Sequence, residues 1–191
     1  MTKRNSTARE FSHLSNSALI FKSLTARDVD LSLMPFYLSL DFDGRRRRFG
    51  CAVSDESIAQ HCGGLNLEKS IILACSGNAG LLAAIELHPL APDWEHAELA
   101  LAESAETDRT TIVAHLLQLA AFAAGKRACT ALVIPSCCAE RAFIELLLGM
   151  GRARMRDDLL WLELGEYASL RSPTLSSPLL RAPSQLRGDD D

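Results

Sequence analysis

The apolar positions change period several times along the chain, and those changes predict its elements. Leu19 to Leu24 is a short apolar run that reads as a strand. Thr25 follows as a helix N-cap with Asp28 in the first turn, and the helix carries Val29, Leu31, Leu33, Met34 and Tyr37, with Pro35 set to kink or restart it. Residues 41–50, with Asp41, Asp43, Gly44, Arg45 to Arg48, Phe49 and Gly50, read as a loop. Ser54 caps a second helix that Cys62-Gly63-Gly64 ends. Three sheet-like runs come next, Ser70 to Cys75, Gly80 to His88 and Glu95 to Glu103, and their short links predict an antiparallel meander. From Arg109 to Gly125 the period becomes helical through Ile112, Val113, Leu116, Leu117, Ala120, Ala121 and Ala124. Ala128 to Ile134 is apolar throughout, as in a central strand, and Pro135-Ser136 opens a helix holding Phe143, Ile144, Leu147 and Leu148. Two strands around Arg152 to Arg156 and Leu159 to Glu166, turning at Asp157-Asp158, close the pattern.

Polar, Pro- and Ser-rich composition sets the two ends apart. Residues 1–17 read as a disordered N-terminal segment and 168–191 as a disordered tail, leaving one domain over 18–167. Twenty basic against 24 acidic residues give a net charge of −4, which speaks against a general nucleic-acid or membrane-surface binder. No apolar run is long enough for a transmembrane span, and the N-terminus lacks the apolar stretch of a secretory signal, so a cytoplasmic protein is expected. Six cysteines and five histidines fall outside metal-ligand spacings, so no metal is expected and the thiols read as structural.

Strand, helix, helix, three strands, helix, strand, helix, two strands is an order that resembles the GNAT superfamily of acyl-CoA-dependent N-acetyltransferases. Local segments carry the likeness too. Arg48-Phe49-Gly50 followed by Val53-Ser54-Asp55-Glu56-Ser57-Ile58 is similar to the segment joining the family's first two helices. Ala97-Glu98-Leu99-Ala100-Leu101 resembles its fourth strand, and Leu116-Leu117 with Ala120, Ala123, Gly125 and Lys126 resembles the helix after its cofactor loop. The resemblance implies an α+β (α/β) fold, a mixed central sheet of about six to seven strands flanked by four helices. It also implies acetyl-CoA as cosubstrate, and transfer of its acetyl group to a primary amine by direct attack in a ternary complex.

The same resemblance assigns residues. The fourth and fifth strands splay apart in that fold to admit the pantetheine arm, which puts Leu99, Ala100 and Leu101 beside the cofactor. The pyrophosphate loop, of pattern Q/R-x-x-G-x-G/A, falls on Asp108, Arg109, Thr110, Thr111, Ile112 and Val113, where backbone N–H groups and the helix dipole favour an anion. Here Thr111 and Val113 stand at the two small positions and Asp108 at the Gln or Arg; Asp108 also reads as an ordinary N-cap. Glu98 matches the general base, and an alternating strand would equally place it in solvent. Glu103 and Tyr37 fall where substrate would bind, though Tyr37 reads better as a partly buried core aromatic. The tyrosine acid of many relatives is replaced near Leu147, the Asn-x-x-Ala motif reads Ala139-Glu140-Arg141-Ala142, and the closing Gly-Phe reads Gly151-Arg152. These losses support an alternative, a catalytically inactive GNAT-like binding or regulatory protein or an acyl-CoA sensor. The Arg45 to Arg48 run reads as a solvated surface, and Cys137-Cys138 as thiols at a helix start with no redox partner. The expected acceptor is a small-molecule or protein amine, with neither nucleic acid nor membrane as partner; oligomeric state is not legible.

Overall fold

The computed structural model describes residues 18–105, 107, 109–138, 141–149 and 153–165. The expectations for the two terminal segments, and those for Asp108, Ala139, Glu140, Gly151 and Arg152, lie outside the described residues. A seven-stranded sheet in the order β1-β2-β3-β4-β5-β7-β6 organises the chain. Its strands are β1 Ile20–Ser23, β2 Ile71–Gly77, β3 Gly80–Pro89, β4 His96–Glu103, β5 Ala131–Pro135, β6 Ala153–Arg156 and β7 Leu159–Glu163. Every neighbouring pair is antiparallel except β4 and β5. The β2-β3-β4 meander is as expected, and the β6–β7 turn is made by Asp157 and Asp158 with φ of 46° and 60°, the left-handed pair that a two-residue hairpin requires.

Among the described residues five helices cover the sheet, one more than expected. The first, α1, runs through Ala26–Asp28, a π-helical stretch Val29–Leu33 and Met34–Ser39. Thr25 and Asp28 close a reciprocal capping box at its start, and Pro35 opens the last stretch, where a missing N–H is tolerated. The loop expected at 41–50 is instead a helix, α2 Phe42–Phe49. Its weak apolar periodicity hid it, but its ends are fully specified. Asp41 accepts the Gly44 N–H at 2.7 Å, arginines fill the last turn opposite the helix dipole, and Gly50 terminates it at φ 75°. Helix α3, Asp55–Gly64, is capped by Ser54 as expected. Helix α4 joins a π-helical Arg109–Val113 to Ala114–Gly125, and α5 spans Arg141–Gly149 after a tight turn at Ser136–Cys138.

Both faces of the central strands are buried, which explains their near-continuous apolar sequence. Leu73, Cys75, Ala83, Ile85, Leu87, Ala97 and Leu99 face α4 and α5. Ile72, Ala74, Ala84 and Ala102 face α1 and α3, where Leu33, Tyr37 and Ile58 are fully buried. Among the described residues no helix is long and apolar enough to cross a membrane.

Candidate active site

Strand β4 pairs with β5 over three residues only, His96 with Ala131, Ala97 with Leu132 and Glu98 with Val133. Beyond that point β4 continues through Leu99 to Glu103 against β3 alone, while β5 continues against β7 to Pro135. The two parallel strands therefore part after Glu98 and Val133, leaving a wedge on one edge of β4 where ladder groups have no strand partner. Leu101 and Glu103 from β4, Cys138, Phe143 of α5, and Gly44 and Arg47 of α2 bound this wedge, with about 20 Å³ free between them. That is room for about one water.

Glu98 is half-buried at the fork, on the sheet face that carries α1 to α3, and directly opposite His88 of β3. Its charge reaches Cys138, whose thiol is pushed up to about 11, first by burial, then by the neighbouring Cys137 and by Glu98. The Cys137 and Cys138 sulfurs lie 3.8 Å apart and both face Gly50, where a β-carbon would sit 3.5 Å from the Cys138 sulfur. Leu99 and Ala100 are buried, Leu101 is half-buried, and Glu103 is 8% exposed.

On the expected phosphate loop, Arg109 and Thr110 lie in the first turn of α4 and Thr111 is exposed there. Ile112 and Val113 point the other way, into the core against the sheet. The β-branched Val113 thus fills the interior rather than the space above the helix N-terminus.

A second constellation, which the sequence reading missed, sits on the same sheet face. Glu86 of β3 has no exposed surface, and four side chains close on it. Arg48 of α2 pairs with Oε1 at 2.5 Å, the Tyr37 hydroxyl donates to the same oxygen, His61 Nε2 of α3 lies 3.1 Å from it, and His88 Nε2 is 2.7 Å from Oε2. Behind His88, Ser70 Oγ lies 2.9 Å from Nδ1. Burial alone would raise the Glu86 pKa, but the Arg48 charge and the hydrogen bonds from His61 and His88 outweigh it and hold the carboxyl well below the usual range. Tyr37 is pushed well above the usual phenol value by burial and by the Glu86 charge.

Two expectations are corrected here. Tyr37 has no exposed surface to offer a substrate, because its ring packs edge-on to Phe49 and its hydroxyl is taken by Glu86. The arginine run is not a solvated surface throughout. Arg48 is 6% exposed, and Arg45 binds the carbonyls of Leu38, Leu40 and Val53 as well as Asp55. The signal for the cluster was Glu86 itself, a carboxylate inside the otherwise apolar run Leu81 to Leu87, which demands a buried cation. Among the described residues no group of three or more His, Cys, Asp or Glu side chains is placed to hold a metal ion.

No family model matches the chain, and no curated protein matches it. Solved structures do. The GNAT domain of S. lividans PAT superposes with a TM-score of 0.57 at 16% identity, over 81% of this chain and 98% of that one. PaiA N-acetyltransferase from Thermoplasma acidophilum, solved in complex with coenzyme A, gives 0.52 at 15% identity, over 76% and 99%. Ribosomal-protein-alanine N-acetyltransferase from Brucella melitensis gives 0.52 at 16% identity, over 75% and 96%. With its parallel β4–β5 pair parting at Glu98 inside a mixed seven-stranded sheet, this chain has the GNAT fold of these structures, at only 15–16% sequence identity to them.

Proposed function

We propose that the chain is an acyl-CoA-dependent N-acetyltransferase that acetylates a primary amine by direct attack in a ternary complex. The observation that carries this reading is the fork after Glu98 and Val133, with a carboxylate at its apex. Backbone groups along Leu99, Ala100 and Leu101 on the open edge of β4 suit the amide groups of a pantetheine arm. The N–H groups in the first turn of α4, from Arg109 to Val113, suit a pyrophosphate, and Val113 leaves that space clear by pointing into the core. When bound, acetyl-CoA supplies the activated acyl group as a thioester.

Glu98 accepts the proton that the ammonium of the acceptor must lose before nitrogen can attack. Backbone N–H groups on the free edge of β4 stabilise the oxyanion that develops during the attack. The wedge as it stands holds about one water, so entry of the arm requires Phe143 and Cys138 to move back from β4. The acceptor is a small-molecule or protein amine. All six cysteines are free thiols, which supports a reducing compartment such as the cytoplasm.

A thermal-unfolding scan with and without acetyl-CoA tests the reading. Ligand at about 100 times its dissociation constant stabilises the folded state by about 2.7 kcal/mol, which raises the midpoint of a domain this size by roughly 5–11 °C. No shift at millimolar acetyl-CoA sinks the proposal.

A further inference from the structure

The Glu86 cluster opens on one side into a cleft of about 660 Å³, in the range of small-molecule sites. It lies between α3, the connection from α3 to β2, and the end of β3. Its polar lining includes Gln60, His61, Asn66, Lys69, Ser70 and His88, and no acidic side chain is among the lining residues. Glu86 lies beneath the two histidines with its charge already matched by Arg48. His61 turns Nε2 toward that pair, 3.2 Å from Arg48 and 3.1 Å from Glu86, which leaves Nδ1 as its remaining ring nitrogen. Lys69 is exposed and makes no ion pair among the described residues. The cleft is thus rich in hydrogen-bonding groups, and Lys69 is the charged side chain among its lining residues.

Its inner wall leads to the fork. His88 lines the cleft and is directly opposite Glu98 in the β3–β4 ladder, with both side chains on the same sheet face. Directly opposed side chains in such a ladder are neighbours, about 5 Å apart at Cβ. A molecule lying in the cleft therefore meets Lys69 at its exposed side and His88 at its inner wall, with Glu98 the next side chain beyond His88 on the same sheet face. We infer that this cleft receives the acceptor, and that the acceptor is a small amino acid-like zwitterion, its carboxylate held by Lys69 and His61 and its amine directed to Glu98. His88, fixed by Glu86 and Ser70, is the positioning residue between the two ends. This inference rests on the acyltransfer reading for the role of Glu98, but the cleft's preference for a carboxylate does not.

Matched pairs of amines test it on the full chain. Glycine, β-alanine and 4-aminobutyrate place the carboxylate at three distances from the amine, and each has a neutral carboxamide counterpart. At least one acid is expected to exceed its amide in kcat/KM by roughly 10- to 100-fold, the worth of one charge-assisted hydrogen bond. In Lys69→Met that ratio falls toward one. Titrating the preferred acid without acyl-CoA, followed by ring resonances, is expected to move the signals of His61 and His88. No preference for any acid together with unmoved rings overturns the inference, and so does a preference that Lys69→Met leaves intact. Moved rings with no stabilisation by acetyl-CoA keep the carboxylate site and remove the acyltransferase reading. Stabilisation by acetyl-CoA with unmoved rings does the reverse.

Discussion

Removing Arg48 gives a result whose size and pH dependence both follow from the buried cluster. In Arg48→Met the guanidinium disappears from beside a carboxylate with no exposed surface, while His61 and His88 keep their contacts with Glu86. Breaking a buried ion pair by deleting one partner costs about 3–5 kcal/mol, or a fall in midpoint of roughly 6–20 °C for a chain of this size. The sign of the pH effect follows from linkage. In the native protein the Glu86 pKa is depressed below its ordinary value of 4.5, so its contribution is present above that value and is lost as pH falls through the depressed one. Without Arg48, burial is opposed only by hydrogen bonds from Tyr37 and the two histidines, and the folded-state pKa rises. The variant then takes up a proton at a pH where the native protein does not, so the cost of the substitution is greatest near pH 7 and shrinks toward pH 4. Glu86→Gln leaves Arg48 buried instead, and a guanidinium cannot shed its charge, so that cost shows no recovery between pH 7 and pH 4. The double variant is less destabilised than either single one, because no lone charge remains. Urea unfolding at pH 7, 5 and 4 reads all three. A cost for Arg48→Met below about 1 kcal/mol at pH 7, or one equal at pH 4 and pH 7, would falsify this account of the cluster.

Other perturbations probe the fork and the segments around it. Glu98→Gln is expected to lower kcat at neutral pH by roughly 10²- to 10⁴-fold, the usual worth of a positioned base, with acetyl-CoA binding retained; steady-state kinetics at a saturating thioester decide it. Gly50→Ala forces a side chain to φ 75° and sets its methyl against the Cys137 and Cys138 sulfurs, for a loss of about 1–2 kcal/mol in denaturant unfolding. An unchanged midpoint removes the strain argument. Val113→Ala deletes two buried methyl groups and costs about 2 kcal/mol without tightening acetyl-CoA binding, because the side chain lies in the core. Calorimetric titration showing markedly tighter binding would mean that Val113 obstructs the phosphate site.

The sheet was readable because β2, β3 and β4 are covered on both faces, so each appears as an apolar run with turn residues at its ends. Helix α2 was not, since four consecutive arginines and Gly44 show no apolar stripe, and only its caps, Asp41 and Gly50, mark it as a helix. That one omission concealed the cluster. As a loop, residues 45–48 read as solvated charge; as a helix over β4, they place Arg48 inside and Arg45 against three carbonyls. Glu86 and the arginine run each look anomalous alone, one a charge in an apolar strand and the other an excess of charge in a short segment. A buried carboxylate with no cation costs several kcal/mol, and a fold that keeps Glu86 in β3 must bring a cation to it from elsewhere in the chain. Tyr37, His61 and His88 then share what Arg48 leaves unsatisfied, because each carboxylate oxygen accepts more than one hydrogen bond. The Arg48 and Tyr37 pairings with Glu86 join residues 38 and 49 positions apart, beyond any local period, and a hydrophobic pattern carries no record of them. The fork is different in kind, since it arises where β5 leaves β4 after three residues, a property of strand register that no single residue announces. Glu98 was assigned because the resemblance supplied the register; the cleft beside His88, for which the resemblance offered no counterpart, emerged only once β3, α3 and the connection to β2 were set side by side.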